Sequence, residues 1–374
     1  MGAPAALAAE INRYAHELGF DLVGITTAEP PPHAAQFHDW LQDGFHGEMS
    51  YLQRNAAKRA APRRVLSDTR SIVVVGMNYF SDEPTPIPSE GGEQRSAIHS
   101  TRRVPESAIP STGGERGVGF QGRIARYAWG MRDYHEVMGE KLKRLADRVC
   151  ELGGAGTRAL SYVDTGPILE RDLAQRAGIG FIGKHTNLIS RKLGNWLFLG
   201  QVLTNLELPS CQPEREYCGT CHRCIDACPT HAIVAPYQLD ARSCISYLTI
   251  ELKGTIPVEL RAAIGDRIFG CDDCLEVCPW NRFAKMSPVK EFRRRELPPL
   301  TEYLSWDDAR FQAFFRGTPM ERIKRRGFLR NVCVALGNVG DPSALPALER
   351  ALEDPEPLVR EHARWAIDQI RSRN

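Results

Sequence analysis

The sequence predicts an α/β domain over residues 1–208, followed by a cysteine-rich module and a helical tail. Three observations predict this organisation. Helical and strand patterns alternate in the first part, eight cysteines fall between Cys218 and Cys278, and apolar residues recur at helical spacing over 301–374. The chain of 374 residues is long enough for two or three domains.

The first part opens with a helical pattern and two strand patterns. A helix is predicted over 4–19, ended by Gly19, and the run FDLVGIT predicts a strand after it. The run RSIVVVGMNY at 70–79 is apolar and β-branched, which predicts a buried strand. Residues 81–122 are rich in Pro, Gly, Ser and Arg and show no periodicity, which predicts a long flexible loop.

Regular structure is expected again after this loop. Residues 134–152 predict a helix closed by two glycines, and TRALSYVDTG predicts a strand and a turn. Pro167 suits the first turn of the next helix, where proline is tolerated. NWLFLGQVLTNLEL predicts one or two further strands, which complete the α/β domain.

The cysteines form two runs with related spacing. The first run reads C-x2-C-x2-C-x3-C-P, the second reads C-x2-C-x3-C-P, and one further cysteine lies between them. The first spacing is that of bacterial ferredoxins, in which three cysteines hold one [4Fe–4S] cluster and the fourth reaches another. Eight thiolates, at four per cluster, therefore imply two clusters in a ferredoxin-type module over 209–290, and they imply electron transfer.

If the pairing of two-cluster ferredoxins holds, each run contributes to both clusters. One cluster then binds Cys218, Cys221, Cys224 and Cys278, and the other binds Cys228, Cys244, Cys271 and Cys274. Two structural zinc sites are the alternative, because zinc held by four cysteines also uses C-x2-C pairs. Disulfides are disfavoured, since this spacing in a chain that opens without a signal peptide is typical of metal binding.

Composition and charge narrow the class of protein. A hydrophobic content of 42% with 25% charged residues is ordinary for a globular protein, and no apolar run approaches the length of a membrane span. We therefore expect a cytoplasmic protein without a membrane partner. A basic belt follows the cysteine module and favours a polyanionic partner, although a solvated helix face has the same composition. The belt consists of Arg282, Lys285, Lys290, Arg293, Arg294, Arg295, Arg316, Arg322, Lys324, Arg325, Arg326 and Arg330.

The tail predicts helical repeats. Residues 328–370 look like a pair of HEAT-type repeats, with GDP and EDPEP interrupting the helices. Two units are few for an independent solenoid, so we expect the tail to pack on the rest of the chain.

Several motifs together resemble the epoxyqueuosine reductase family, over nearly the whole chain apart from 81–122. The motifs are KRAAPRRVL, RYAWGMRDYH, YVDTGPILERDLAQRAGIGFIGKHTNLIS, CISYLTIELKG and GCDDCLEVCPWN, with the cysteine runs and the tail. The resemblance implies reduction of epoxyqueuosine to queuosine at the wobble position of tRNA, the last step of queuosine biosynthesis. It also implies a cobalamin cofactor beside the two [4Fe–4S] clusters, a monomer, and an external electron donor such as a flavodoxin or ferredoxin system.

The resemblance assigns roles to particular residues. It implies that Asp164 is the proton donor and contacts the cofactor, which requires a raised carboxyl pKa. Its place at the carboxyl end of a predicted strand suits a ligand site, although the residue alone could be a turn or helix cap. His135 is interpreted as a helix-start residue and not as a cobalt ligand. The other cobalamin contacts implied are Arg59, Tyr127, Lys184, Thr186, Asn187 and Ser246.

Contacts with tRNA are expected from two regions. Tyr247 and Lys253, between the cysteine runs, are interpreted as a bridge to the substrate, although Tyr247 could equally be core packing. Arg322, Arg325 and Arg326 are expected to bind phosphates. Three other functions stay open from the sequence: a cobalamin-dependent reductive dehalogenase of a small molecule, an electron-transfer scaffold without substrate chemistry, and a zinc-stabilised RNA-binding protein.

Overall fold

The computed structural model describes residues 3–81 and 121–373. The flexible loop predicted over 81–122 therefore lies, apart from its ends, outside the described residues. Strands in the described part are β1 (Leu22–Thr27), β2 (Ser71–Asn78), β3 (Arg123–Ile124), β4 (Ala159–Tyr162), β5 (Phe181–Ile182), β6 (Leu188–Ile189), β7 (Leu197–Thr204), β8 (Ile233–Ala235), β9 (Gln238–Leu239) and β10 (Arg267–Phe269).

The α-helices fall into three groups along the chain. The first group is α1 (Ala3–Glu17), α2 (Ala34–Gln42), α3 (Ser50–Arg54), α4 (Ala56–Arg59), α5 (Tyr134–Gly153) and α6 (Glu170–Arg176). The second is α7 (Arg223–Asp226), α8 (Ile245–Ile250), α9 (Val258–Ile264) and α10 (Asp273–Glu276). The third is α11 (Leu300–Tyr303), α12 (Asp308–Phe315), α13 (Lys324–Val339), α14 (Leu345–Ala351) and α15 (Pro357–Arg373).

A four-stranded sheet in the order β1-β2-β7-β4 forms the centre of the α/β domain. The side chains of β2 are buried on both faces, as its apolar run predicts. Val73, Val75 and Met77 face the core that α1 and α5 complete, and Ile72 and Val74 face the core that includes α6. This alternation follows from the two-residue period of a strand. The helices and strands predicted here are all present, within a few residues of the expected bounds.

Every neighbouring pair in this sheet is antiparallel. The rule that ligands bind at the carboxyl ends of the strands holds for parallel sheets, so it does not by itself support a ligand site at Asp164 here. Because β2 and β4 both run against β7, the carboxyl ends of β2 and β4 lie at one edge, together with the amino end of β7. Asp164 reaches this edge because it follows β4, which is an edge strand.

The cysteine module is tied to the α/β domain by strand pairing and shared cores. β10 pairs in parallel with β3, which precedes α5 in the α/β domain. Leu275 and Phe292 complete the core beneath α1 and α5. The cysteine module is therefore packed against the α/β domain and is not a separate domain on a linker.

The tail packs on the module through buried polar side chains of α13, which confirms the expectation that it does not stand alone. Arg330 donates hydrogen bonds to the carbonyls of Leu248, Leu252 and Gly254. Asn331 donates to the carbonyls of Thr249 and Ile268. α13 and α14 both pack against α15 around an apolar core. In the described part of the chain, no helix is both long and apolar enough to cross a membrane.

Candidate functional site: two cysteine sets and a large cavity

The first cysteine set lines a small cavity. Cys218, Cys221, Cys224 and Cys278 all face this cavity, whose volume is about 190 Å³. Cys224 lies on the single-turn helix α7, and the N–H of Cys221 donates to the carbonyl of Cys218 at 3.1 Å. The structure thus brings together the four residues that the ferredoxin pairing groups into one cluster.

The second cysteine set lies deeper in the fold. The thiol of Cys274 is close enough to interact electrostatically with those of Cys228, Cys244 and Cys271. Burial raises the pKa of the Cys274 and Cys244 thiols and so favours their protonated form; binding of a metal would displace these protons. Among the described residues, no three His, Cys, Asp or Glu side chains converge as the ligands of one metal ion do.

The large cavity lies beside the common edge of β2, β4 and β7. Its volume is about 1780 Å³, which exceeds the roughly 300–1,000 Å³ of an ordinary small-molecule pocket. Leu275, next to Cys274, and Ala241, three residues before Cys244, line it, so the deeper cysteine set adjoins this cavity. The predicted residues that line it are Arg59, Tyr127, Asp164, Thr186, Asn187 and Arg322.

Asp164 stands in an unusual backbone conformation on the cavity wall. Its φ is +55°, a region that a non-glycine residue adopts only when its surroundings hold it there. Its Oδ2 accepts a hydrogen bond of 2.9 Å from the hydroxyl of Tyr134 and lies 3.4 Å from Nε2 of His135. The side chain is 54% exposed, and this exposure is towards the cavity.

The electrostatics of Asp164 differ from the expectation. Burial raises the pKa of this carboxyl, but the contact with His135 and the hydrogen bond from Tyr134 outweigh burial, so that the pKa lies below its ordinary value. Burial lowers the pKa of His135, but its hydrogen bond to Asp133 and its contact with Asp164 outweigh burial and raise the pKa to about 9. The expected raised pKa of Asp164 is therefore wrong for the protein in this state, in which the neighbouring imidazole holds the proton.

Glu170 is a functional candidate that the sequence did not single out. Its Oε1 accepts a hydrogen bond of 2.9 Å from the backbone N–H of Asp164, and it lines the same cavity. Burial and the charge of Asp164 raise the pKa of Glu170 to about 8, so it is protonated at neutral pH. Its place at the start of α6, within ILERD of a family motif, was the available signal.

His135 and Asp133 occupy the start of α5 as predicted. Asp133 is the N-cap, and its side chain accepts a hydrogen bond from the backbone N–H of His135 at 2.9 Å. The same carboxylate lies 2.7 Å from Nδ1 of His135. This contact orients the imidazole so that Nε2 is directed towards Asp164.

Arg59 reaches the cavity from the end of α4. The guanidinium is buried and donates to the carbonyl of Ile168 at 3.0 Å. Its Nε is buried without a hydrogen-bond partner among the described residues. A buried N–H donor without an acceptor destabilises the folded protein, unless a bound ligand accepts its hydrogen bond. Arg59 is therefore a buried residue of the cavity wall and not a surface charge.

Two predicted cofactor contacts do not line the large cavity. Nζ of Lys184 donates to the carbonyls of Gly219 and Cys221, at 2.7 and 2.9 Å, and so holds the loop of the first cysteine set. Ser246 donates to the carbonyl of Cys271 at 3.4 Å, beside the second set. Both side chains support cysteine loops in this structure: the segment of Lys184 runs along the cavity wall, but its side chain is directed to the carbonyls of Gly219 and Cys221.

The predicted RNA contacts separate into surface and buried residues. Tyr247 is only 6% exposed, and its hydroxyl accepts a hydrogen bond from the N–H of Glu48, so it is a packing residue as the sequence allowed. Arg325 is buried, pairs with Asp354 and donates to the carbonyl of Trp306 at 2.6 Å. The expectation that Tyr247 and Arg325 contact tRNA is therefore corrected, because both lie in the interior.

Four cations remain exposed on this side of the molecule. Arg322 and Lys324 line the large cavity, and Arg322 pairs with Glu251 at 2.6 Å. Arg326 and Lys253 are exposed on neighbouring elements. Within the basic belt Arg325 and Arg330 are buried, and the other members, apart from the half-buried Arg295, are exposed.

Comparisons with known proteins place this architecture in a family. Residues 217–281 match the sequence model of a 4Fe-4S double cluster binding domain, residues 59–165 match that of epoxyqueuosine reductase QueG, DUF1730, and residues 326–374 match that of HEAT repeats. The fold and the two cysteine sets define an iron–sulfur oxidoreductase with two [4Fe–4S] clusters.

Curated relatives and solved structures agree on the particular family. The epoxyqueuosine reductase of Xanthomonas campestris pv. campestris is 42% identical, with 98% of this chain and 97% of the relative covered. That of Escherichia coli is 39% identical, with 98% and 91% covered. A crystal structure of epoxyqueuosine reductase with an epoxyqueuosine-modified tRNA-Tyr stem loop has a TM-score of 0.82 at 32% identity, covering 98% of this chain and 90% of that one. The chain belongs to the epoxyqueuosine reductase family.

Proposed function

We propose that this protein reduces the epoxide of epoxyqueuosine to the alkene of queuosine at the wobble position of tRNA, the last step of queuosine biosynthesis. The reaction consumes two electrons and two protons and releases the epoxide oxygen as water. One observation carries the proposal: a cysteine set for a [4Fe–4S] cluster adjoins a large cavity whose wall holds Asp164 between two proton-holding groups. Membership of the family over 98% of the chain favours this reading over the dehalogenase alternative.

Cobalamin is the proposed occupant of part of the large cavity. The cavity has room for a cofactor beyond ordinary ligand size and for a nucleoside, and the unpartnered Nε of Arg59 lies on its wall. Arg59, Tyr127, Thr186 and Asn187 would hold the cofactor, since all four line the cavity. When bound, cobalamin supplies the strongly reducing cobalt centre that cleavage of a carbon–oxygen bond requires.

The cysteine sets indicate the direction of electron flow. The set of Cys218, Cys221, Cys224 and Cys278 opens to a surface cavity, whereas the set around Cys274 adjoins the large cavity. Electrons from an external carrier, such as a flavodoxin or ferredoxin, would enter at the first cluster, pass to the second and reach the cavity one at a time. The chain linking Cys224 to Cys228 and the chain linking Cys274 to Cys278 hold the two sets side by side.

Asp164 is proposed to deliver a proton to the departing oxygen, so that an alkoxide does not accumulate. In the state described, the proton lies on His135, 3.4 Å from Oδ2 of Asp164, and a second proton lies on Glu170. Because Asp164 is a carboxylate in this state, a proton from His135 would have to pass to it before it protonates the departing oxygen. Glu170 keeps its own proton and positions the backbone of Asp164 through the N–H contact.

The substrate loop is proposed to lie across the cavity mouth. RNA is read mainly in single-stranded loops whose bases enter pockets, and the wobble base belongs to such a loop. Arg322, Lys324, Arg326 and Lys253 are the cations available there for phosphates. The solved relative bound to a modified tRNA stem loop supports this substrate. The cytoplasmic location and the monomeric state stay predictions.

The test is the nucleoside mass profile of bulk tRNA from source cells with and without the gene. Loss of queuosine with accumulation of a nucleoside one oxygen heavier is expected. An unchanged profile would contradict the proposed substrate and direct attention to a small-molecule reductase. Complementation with the Asp164→Asn variant, checked for protein level, separates loss of chemistry from loss of the protein.

A further inference from the structure

The surface around the first cysteine set combines basic and aromatic side chains. The small cavity formed by the four thiols is also lined by Arg223, Arg282, Tyr217 and Trp280. Arg223 and Arg282 are exposed, and neither has an acidic partner within the described residues. Tyr217 is 38% exposed, and Phe283, beside Arg282, is 37% exposed. Large side chains of this kind are more often covered.

The aromatic side chains are held in place by cation–π and edge contacts. The guanidinium of Arg282 lies 4.7 Å from the ring centroid of Phe283, and that of Arg191 lies 4.6 Å from the ring of Tyr217. Trp280 packs edge-on against Tyr217 and Phe181. The patch is therefore a preformed surface whose apolar centre surrounds the cavity of the thiols.

Three acids near this patch contact basic side chains. Glu214 pairs with Arg191 at 3.3 Å, Asp226 contacts His222, and Glu276 pairs with Arg126 at 3.4 Å. Glu216 also lies close by and is exposed, but it faces the large cavity. The unpaired charges at the rim of the small cavity are thus the two cations Arg223 and Arg282.

The patch and the large cavity open at different places. No cysteine of the first set lines the large cavity, and neither Arg223 nor Arg282 does. The patch and the proposed substrate entrance are therefore built from different residues. This separation is what an enzyme needs when it must receive electrons singly while a large substrate stays bound.

We propose that the patch formed by Arg223, Arg282, Tyr217, Trp280 and Phe283 is the docking surface of a small acidic one-electron carrier protein. The inference rests on the proposed function, because it assumes that electrons enter at the first cluster. Two encounters serve each turnover, and each oxidises one carrier by one electron and reduces the first cluster by one electron. Complementary charge steers a transient encounter, and the small apolar centre permits rapid release.

The experiment measures anaerobic cluster reduction by stopped-flow absorbance, with chemically reduced flavodoxin as the probe. The variant is Arg223→Glu with Arg282→Glu, and the control is Lys143→Glu with Arg144→Glu on the exposed face of α5. At low ionic strength the variant should lose about tenfold or more in second-order rate constant, and its salt dependence should flatten. The control should match the wild type.

Light-driven reduction by 5-deazaflavin, which needs no docking surface, completes the design. The variant should match the wild type in iron content and in reduction by this small donor. If the double reversal reduces iron content, Arg223→Gln with Arg282→Gln replaces it, with a smaller loss of the flavodoxin rate expected. An unchanged flavodoxin rate would overturn the docking surface. Loss of tRNA affinity with an unchanged flavodoxin rate would also overturn it and would assign the patch to RNA.

Failure of this inference is distinguishable from failure of the proposed function. Reduction of epoxyqueuosine tRNA by wild-type enzyme with 5-deazaflavin tests the function without any carrier protein. If that reaction proceeds while flavodoxin reduces wild type and variant equally, the function stands and the docking surface does not.

Discussion

The backbone N–H of Asp164 donates a hydrogen bond of 2.9 Å to Oε1 of Glu170, six residues further along the chain. This contact supports the positive φ of Asp164, a conformation that costs about 1–3 kcal/mol for a non-glycine residue. Tyr134 holds the carboxylate from the other side. Glu170 is therefore placed to hold the backbone of Asp164 at the cavity wall.

Glu170→Gln should keep most of the activity at pH 7, because the amide oxygen still accepts the N–H of Asp164. Glu170→Ala should lose about 10- to 100-fold, since the proton donor is then misplaced. The pKa of Glu170 is raised to about 8, so wild-type activity should fall as a second carboxylate forms above that pH. The Gln variant should lack this alkaline decline. Identical pH profiles for wild type and Glu170→Gln would contradict the role.

Asp164→Asn should reduce single-turnover epoxide reduction by about 10²- to 10⁴-fold, the usual contribution of a general acid. Iron and cobalamin contents should stay at wild-type levels, because the substitution is isosteric. Asp68→Asn is the matched control, since Asp68 pairs with Arg158 at the surface. Full turnover by Asp164→Asn with normal cofactor content would eliminate the proton-donor role.

His135→Gln should destabilise the protein more at pH 6 than at pH 9. The pKa of His135 is raised to about 9 in the folded protein, against about 6.5 unfolded. Its protonated form therefore adds stability that is fully present below pH 6.5 and is lost as the pH rises through 9. The difference in unfolding free energy should be about 1–3 kcal/mol at pH 6 and smaller at pH 9. Thermal unfolding at both pH values measures it, and a pH-independent difference would refute the assignment.

Arg325→Ala and Arg326→Ala should separate stability from binding. Removing Arg325 leaves Asp354 buried without its partner, which should cost about 3–5 kcal/mol of stability. Arg326 is exposed, so its removal should change stability by less than about 0.5 kcal/mol. It should weaken tRNA binding and reduce the slope of log affinity against log salt by about 1. Denaturation and titrations at several salt concentrations test both, and an unchanged salt slope for Arg326→Ala would remove it from the interface.

Cys278→Ser and Cys244→Ser should each impair a different cluster. Cys278 belongs to the set that opens to the surface, and Cys244 belongs to the set beside the large cavity. Iron content of the anaerobically purified protein should fall from about eight towards about four per chain in either variant. Cys150→Ser, on α5, should have no effect. Equal loss of both clusters in both variants would show that the sets are not independent.

The sequence was sufficient for features that local pattern determines. The buried strand of β2 follows from a continuous β-branched run, and the two cysteine sets follow from ligand spacing. The antiparallel sheet was not predictable in this way, because strand direction depends on how distant segments meet. Because the sheet is antiparallel, the end of a strand is no reason to expect a ligand site at Asp164. Its predicted position at the cavity is nevertheless correct.

Burial explains the residues that were misassigned. Arg325 and Arg326 are neighbours with the same charge, but on a helix they point to different sides, and only the packing of α13 decides which one is covered. Lys184 was expected at the cavity, yet its long side chain reaches the cysteine loop instead. Glu170 could not be found from the sequence, because its role depends on the hydrogen bond from the backbone N–H of Asp164. That contact forms only in the folded chain.

The contacts of Arg330 and Asn331 determine whether the tail can be removed or replaced. Their side chains donate hydrogen bonds to five backbone carbonyls of the segment between the cysteine runs. One of these carbonyls belongs to Ile268, three residues before Cys271. A protein cut before α11 would expose these acceptors and the core beneath them, so the shortened chain would not be a smaller working enzyme. Grafting a foreign repeat array in its place would fail for the same reason, unless the graft carried an equivalent arginine–asparagine pair. The tail and the cysteine module are therefore one structural unit, and the tail is not an RNA-binding domain that can be exchanged independently.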